Sequence, residues 1–211
     1  MGFTAAVGVG NLKPGIVTNT GTVASPFDGQ VVYETDNNRV MAYDGSSWET
    51  VGPTGLVLVS TTTIGSAVSS VNVTSAFSAT YDNYKIIVVG GAGSTSAPLY
   101  LTLGATATGY YYAGFNCSWT GTSSFDNGSN AVKWMVGRQT TDLLDANFEL
   151  LNPYASDQTV YVGSFAQVRT DGYWHTFGGY LNNTTSYTDF TIAPSTGTMT
   201  GGEIRVYGYK N

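Results

Sequence analysis

The chain has 211 residues, a length that fits one ordinary domain with a smaller attachment. Only 10% of its residues are charged and the net charge is -6, so the chain lacks the clustered cations that bind a nucleic-acid backbone or an anionic membrane surface. Hydrophobic residues make up 42% of the chain, with 15 Tyr and 27 Gly, a composition that favours strands and turns over helices and indicates an all-β fold.

Cys117 is the only cysteine, so the fold has no intramolecular disulfide, and we expect Cys117 to be a buried small apolar residue. Residues 1–10 lack a basic segment followed by a long apolar one, and we therefore expect no signal peptide. No apolar run approaches the roughly 20 residues of a membrane helix. We expect no membrane insertion.

Residues 1–25 are rich in Gly and Thr and contain few bulky aliphatic side chains and one lysine. The segment has too little apolar surface to fold alone, yet it is too apolar for a typical disordered tail. These two facts predict an extended N-terminal arm that lies on another protein. A plain flexible leader is the alternative.

Residues 26–53 are punctuated by strong turn signals. Asp36-Asn37-Asn38 and Asp44-Gly45 separate three strand-like runs, because Gly tolerates a positive φ and Asp bonds its own turn backbone. The pattern predicts a three-stranded β-meander with strands at Gln30–Thr35, Arg39–Tyr43 and Trp48–Val51.

So small a meander cannot bury its own apolar side chains. Its core must be completed by the rest of the chain or by copies of the same segment. We therefore predict that the meander is a trimerisation module, whose candidate interface residues are Val31, Tyr33, Val40, Tyr43 and Trp48.

Residues 54–211 carry many short apolar runs separated by Gly, Ser, Thr and Asn. Tyr84–Val89 is continuous, as in a central strand buried on two faces, and Glu203–Tyr209 alternates, as in a half-buried strand. The pattern predicts an antiparallel, jelly-roll-like β-sandwich head domain. The other predicted strands are Leu99–Leu103, Tyr110–Trp119, Ala131–Val136, Thr159–Arg169, Tyr173–Leu181 and Phe190–Ala193, with Asp171-Gly172 as a tight hairpin turn.

The segment 142–151 fits two periodicities. Leu143, Leu144, Phe148 and Leu151 could form a helical stripe, whereas Ala146, Phe148 and Leu150 alternate as in a strand. Because the surrounding pattern is all β, we favour a strand.

Two stretches resemble known virion proteins. Pro26-Phe27-Asp28-Gly29-Gln30-Val31-Val32-Tyr33-Glu34-Thr35-Asp36, followed by Tyr43-Asp44-Gly45 and Trp48, resembles a short module of phage tail-fibre and other virion proteins. Tyr81-Asp82-Asn83-Tyr84-Lys85-Ile86, together with Gly201-Gly202-Glu203-Ile204-Arg205-Val206-Tyr207-Gly208-Tyr209, is similar to the β-sandwich that closes many phage appendage proteins.

The resemblance implies a bacteriophage structural protein that is assembled in the host bacterial cytoplasm and usually trimeric. In this interpretation the arm holds other virion proteins, the meander trimerises, and three heads face outward. A capsid decoration or cement protein is one alternative, and a lectin-like module that binds host-surface glycans is another.

Few residues could support catalysis or metal binding. His175 is the only histidine, and Asp171 or Asp189 would have to orient it, but it lies in an aromatic strand and we expect a polar edge or interface position. The carboxylates of Asp142, Asp145 and Glu149 have no spacing that predicts a sugar-cleaving pair or a metal site. Asp126-Asn127-Gly128 is interpreted as a turn. We expect no enzyme activity, no cofactor and no metal.

Aromatic residues are the best candidates for surface recognition. They are concentrated in 110–119 and in 173–180, and alternation along a strand sends about half of them outward. Packing in the core is therefore the first interpretation of these residues, and the outward half could fill a subunit interface or stack on sugar rings. The candidates are Tyr110, Tyr112, Trp119 and Trp174.

Overall fold

The computed structural model describes residues 14–52, 55–167 and 172–210. The fold is all β, as the sequence predicted. The chain divides into two compact units between Thr54 and Gly55. The first unit contains β1 (Gly15–Val17), a 3-10 turn (Thr20–Thr22), β2 (Val31–Glu34), β3 (Arg39–Tyr43) and β4 (Trp48–Val51).

The first unit is a four-stranded sheet rather than the predicted three-stranded meander. Its strands follow one another in the order β1-β2-β3-β4. Gly15 and Val17 of β1 pair in parallel with Val32 and Glu34 of β2, so the described end of the predicted arm belongs to this sheet. The sequence analysis missed β1 because a three-residue edge strand has no alternation to detect. Residues 1–13 of the arm lie outside the described residues.

The second unit is built from fourteen strands, and every pairing between them is antiparallel. The strands are β5 (Leu56–Thr63), β6 (Val71–Val73), β7 (Asn83–Val89), β8 (Ala92–Gly93), β9 (Ala97–Leu103), β10 (Tyr110–Ser118), β11 (Ser123–Ala131), β12 (Trp134–Gln139), β13 (Leu144–Leu151), β14 (Val160–Ala166), β15 (Tyr173–Leu181), β16 (Phe190–Pro194), β17 (Met199–Thr200) and β18 (Glu203–Tyr209).

These strands form two layers that share β13. The long layer has the order β5-β18-β7-β13-β14-β15-β10-β11, and the short layer has the order β13-β12-β9-β16-β6. Residues 147–151 of β13 pair with β7 and β14, whereas residues 144–146 pair with β12 of the short layer. A small ladder of β8 and β17 lies apart from both layers.

The core lies between the two layers. Trp134 of the short layer is fully buried, and its ring packs 4.3 Å from Tyr161 and 4.9 Å from Tyr110 of the long layer. Alternation selects the buried side chains, as in β9 and β18, where every second residue is buried. This face-to-face packing is that of a β-sandwich.

The strand prediction for residues 142–151 is confirmed, because Leu144–Leu151 is β13. The interpretation of Asp126-Asn127-Gly128 as a turn is wrong, since these residues lie inside β11. The polar composition of β11 concealed it, and β5 and β6 were also missed.

Tyr84–Val89 is central, between β18 and β13, but only one of its faces is fully buried. Asp171 of the predicted hairpin turn lies outside the described residues.

Candidate interaction surfaces

One face of the small sheet is covered. Val32 and Met41 are cross-strand partners on this face, and both are buried. The side chain of Glu34, next on the same face, is only 2% exposed. The 3-10 turn approaches this face, since the backbone N–H of Thr20 donates to Oε1 of Glu34 at 2.9 Å.

Glu34 is the electrostatic centre of the small sheet. Arg39, its cross-strand partner, donates from Nε to its carboxylate, and Thr20 N–H and Asn37 Nδ2 also donate to it. These hydrogen bonds, that of Arg39 above all, lower the pKa of Glu34 from 4.5 to about 2. The carboxylate is therefore ionised and fully partnered, which makes its burial tolerable.

The opposite face of the small sheet is mostly apolar and, among the described residues, largely exposed. Tyr33 lies beside Val40 on one side and Ile16 on the other, and Val51 follows Val40 across the sheet. Ile16 is 76% exposed and Val51 is 54% exposed. This surface, called the small-sheet face below, carries Ile16, Val31, Tyr33, Val40 and Val51, and the register adds Ala42 and the exposed Glu49 to it.

The structure divides the five candidate interface residues between the two faces. Val31, Tyr33 and Val40 lie on the small-sheet face. Tyr43 and Trp48 are cross-strand partners on the other face, where their ring centroids lie 5.3 Å apart. The apolar composition of the segment groups the five residues, whereas strand parity separates them.

The long layer also has a face, on the side away from the core, that carries exposed apolar side chains among the described residues. The register places Tyr111 beside Tyr180 and Phe115 beside Phe125, all on the side away from the core. The Tyr111 and Tyr180 rings stack at 5.0 Å, and Phe125 is 84% exposed. We call this surface, formed by the outward residues of the eight strands, the outer face.

The four candidate recognition residues have different environments. The prediction for Tyr110 is wrong, because Tyr110 is buried and its hydroxyl group accepts from Leu103 N–H and donates to Thr106 O. Burial raises the pKa of Tyr110 to about 12. Tyr112 is on the inner side, where its ring lies against Gly128. Trp119 and Trp174 are exposed, and Nε1 of Trp119 donates to the Gln167 carbonyl at 3.1 Å.

His175 is buried in the core, so the expectation of an edge or interface position is wrong. Its ring packs among Phe165, Tyr173 and Phe177. Neither ring nitrogen has a hydrogen-bond partner among the described residues, which include Asp189. Burial lowers the pKa of His175. Asp171, the other proposed orienting residue, lies outside the described residues.

The remaining carboxylates do not converge. Asp145 accepts from Ala166 N–H at 3.2 Å, and burial raises the pKa of Asp145. Glu149 pairs with Lys85 at 3.3 Å. Asp142 and Asp145 line a cavity of about 250 Å³ together with Arg138, Thr140, Leu143, Phe165 and Gln167. Within 14–52, 55–167 and 172–210, no group of three or more His, Cys, Asp or Glu could hold a metal ion.

No helix of the described residues is long and apolar enough to cross a membrane. Cys117 is half-buried on the outer face, not buried as expected.

No family model, no curated protein and no solved structure matches the chain. The role of the candidate surfaces is therefore argued from their residues and geometry alone.

The sequence analysis missed most of both exposed faces. The signal that could have found them is strand parity, which places apolar residues on the side opposite the buried set. In β14, for example, Val160 and Val162 alternate with the buried Tyr161. Every second residue of a half-buried strand is usually polar, whereas the outward residues Val160 and Val162 of β14 are apolar.

Proposed function

We propose that this chain is a structural protein of a bacteriophage particle, a homotrimeric fibre or appendage held by its N-terminal residues. The observation that carries the trimer is the small-sheet face, a mostly apolar surface on which Ile16, Val31 and Val51 are exposed among the described residues. The virion assignment is supported by the resemblance of residues 26–48 to a module of virion proteins.

The small-sheet face suits association better than solvent exposure. Val31, Tyr33 and Val40 adjoin one another, and they extend into an open groove lined by Pro14, Phe27 and Gln30. Contiguous apolar surface of this kind marks contact sites in soluble proteins. Copies packed through this face would supply the core that a sheet of this size lacks.

The trimer is tested with one variant and one matched control. Val40→Lys places a charge in the small-sheet face, whereas Thr22→Lys places the same charge in the exposed 3-10 turn of the same unit. Light scattering should report three chains or a multiple of three for the wild type and for Thr22→Lys, and one or two chains for Val40→Lys. A monodisperse wild-type monomer at micromolar concentration overturns the trimer.

The place in the particle is tested separately. The chain should co-purify with intact particles through a density gradient, and deletion of residues 1–13 should release it while the circular dichroism spectrum stays β-like. A chain that remains wholly in the particle-free fraction contradicts the virion assignment. Chain tracing in an image of the particle distinguishes a fibre from a capsid decoration protein.

A glycan-binding module is the weaker alternative. Of its four candidate residues, only Trp119 and Trp174 are exposed. Trp174 lies in β15 and Trp119 follows the end of β10, and neither lines the cavity beside Asp142 and Asp145, which is where polar side chains gather. The particle experiment therefore comes first.

A further inference from the structure

The two layers of the large unit differ in how many large apolar side chains they expose on the side away from the core. On the short layer, the residues that point away from the core include Asn72, Thr102 and Thr191 together with Pro98, Tyr100 and Ala193, and none of these is a highly exposed large apolar side chain. Such a mixed exterior without strongly exposed apolar side chains is normal for a sheet with one solvated side. The outer face of the long layer departs from that pattern.

The exposed apolar side chains of the large unit concentrate on this outer face. Among the described residues after Gly55, eleven large apolar side chains are exposed, and the register places eight of them on the outer face. These eight are Leu56, Leu58, Val89, Phe125, Val160, Val162, Trp174 and Tyr180. Scattered exposure would have placed them on loops and both layers, so the clustering requires a partner.

The charges on the outer face cancel. Its ladder carries Lys85 paired with Glu149, and Arg205 paired with Glu203 at 3.0 Å. The further outward carboxylate, Asp145 of β13, has Arg138 as its cross-strand partner. The outward residues of β10, β11, β14 and β15 carry no charge. The whole chain has a net charge of -6. Two copies would therefore repel through most surfaces and not through this one.

The outer face has the size of a stable interface. Eight strands spaced about 4.8 Å apart, with about seven residues each at roughly 3.3 Å per residue, cover about 900 Å². A stable protein interface of standard size buries about 800 Å² on each partner.

The outer face is not flat, because it has both a shallow hollow and a projecting ring. The Tyr111–Tyr180 stack and the Phe115–Phe125 pair are separated by Ala113 and Gly178, which leave a shallow hollow between the rings. Phe125 projects beside that hollow. A projecting ring next to an apolar hollow can fit the same pair of features on an identical surface.

We propose that the outer face of the long layer packs against the outer face of a second copy of this chain. This contact is independent of the small-sheet face, because it uses strands of the other unit. It gives the head its own association surface.

Cys117 provides a reporter in the protein as it exists. It is the only cysteine and lies on the outer face, opposite Trp174 in the ladder. Its rate of reaction with a maleimide reports whether the face is covered. The control reporter is Thr184→Cys in a Cys117→Ser background, since Thr184 is exposed and lies outside the strands.

Two exposed positions far from Cys117 are used to open the contact. Leu58→Lys lies on β5, at the opposite edge of the long layer, and Val160→Lys lies at the opposite end of β14. The matched control is Asn72→Lys on the exterior of the short layer. Since Leu58, Val160 and Asn72 are all exposed, none of the three substitutions empties a core position.

The measurement is made at a concentration where the wild type is assembled. We expect Cys117 to react at least about tenfold faster in Leu58→Lys and Val160→Lys than in the wild type or Asn72→Lys. A tenfold difference in the exposed fraction corresponds to about 1.4 kcal/mol of association free energy. Dilution in the Val40→Lys background should abolish the protection. The rate of the Thr184→Cys reporter should change in none of these comparisons.

Equal Cys117 rates in all variants overturn the proposal. Protection that survives dilution in the Val40→Lys background also overturns it, because a segment of the same chain, such as residues 1–13, would then be the cover. Protection of the diluted chain by a neutral oligosaccharide would assign the face to a sugar instead. The failure of the trimer proposal is distinguishable, because it appears as an unchanged mass of Val40→Lys.

Discussion

The two units of the chain differ in how they bury their side chains. The large unit places 28 buried residues in one apolar cluster between two layers. The small sheet buries only Val32 and Met41 among its apolar residues, and beside them it buries a carboxylate held by hydrogen bonds. A sandwich can rest on its own core, whereas a four-stranded sheet of this size depends on polar contacts and on what covers its second face.

The largest expected effect comes from the core of the large unit. Trp134→Ala removes a fully buried ring that packs on Tyr110 and Tyr161, and its Nε1 hydrogen bond to the Tyr111 carbonyl. We expect the free energy of unfolding of the large unit to fall by about 3–5 kcal/mol, measured by guanidinium denaturation followed by circular dichroism.

Trp48→Ala is the matched control for Trp134→Ala. Trp48 is only partly buried and contacts Tyr43 within the small sheet. It should leave the transition of the large unit in place. If both substitutions shift one common transition equally, the two units unfold together and the comparison between them fails.

A neighbouring pair of glycines tests the tightness of the large core. A Cβ atom at Gly179 would lie 2.0 Å from the Tyr111 carbonyl oxygen, whereas at Gly178, on the opposite face, the nearest atom would be 3.4 Å away. Gly179→Ala should therefore lower the free energy of unfolding by about 1–3 kcal/mol, because β10 and β15 must separate.

Gly178→Ala should cost clearly less than Gly179→Ala in the same denaturation experiment. The two positions share strand, length of side chain and propensity, so only the face differs. Equal losses would mean that strand propensity, and not packing against the core, determines the effect.

Sequence reasoning recovered most of the apolar strands but missed the apolar start of β5, the short β6 and the polar β11. Tyr173–Leu181 and Glu203–Tyr209 were predicted with the bounds that the structure has, because apolar or aromatic residues recur along them. β11 was missed because its Ser, Asn, Asp and Gly are turn residues in isolation. Its strand state depends on pairing with β10, and Gly128 is required there because the Tyr112 ring occupies the space of a Cβ atom.

The candidate surfaces were predicted only in part, for a physical reason. Whether an aromatic residue faces the core depends on which neighbouring strand sets the parity, and Tyr110 and Tyr111 differ by one residue. The sequence shows that aromatic residues concentrate in 110–119. Only the register shows that Tyr111 is outward and Tyr110 inward.

The pH dependence of the small sheet should follow Glu34. Its pKa is lowered to about 2 in the folded chain from 4.5, so its contribution to stability is present above pH 4.5 and is lost as the pH falls toward 2. The melting temperature of the small sheet, followed through Trp48 in a Trp119, Trp134 and Trp174→Phe background, should fall across that window. Glu34→Gln should be less stable at neutral pH and should lack this pH dependence. A wild-type profile that is flat between pH 4.5 and 2 would show that Arg39 does not hold the carboxylate in solution.

The smallest effect is expected in the large unit, where His175 acts in the opposite sense. Burial lowers its pKa, so the folded state keeps the ring neutral while the unfolded state takes up a proton below its ordinary value of about 6.5. Stability of the large unit should therefore decline as the pH falls below 6.5, above the window of Glu34. His175→Gln should remove that decline, and the contribution of Glu34 below pH 4.5 should remain. Thermal melts at pH 7.5, 6 and 5 measure the difference. If the wild type and His175→Gln decline equally, the protonation of His175 is not linked to unfolding, and the small and large units do not have separate pH responses.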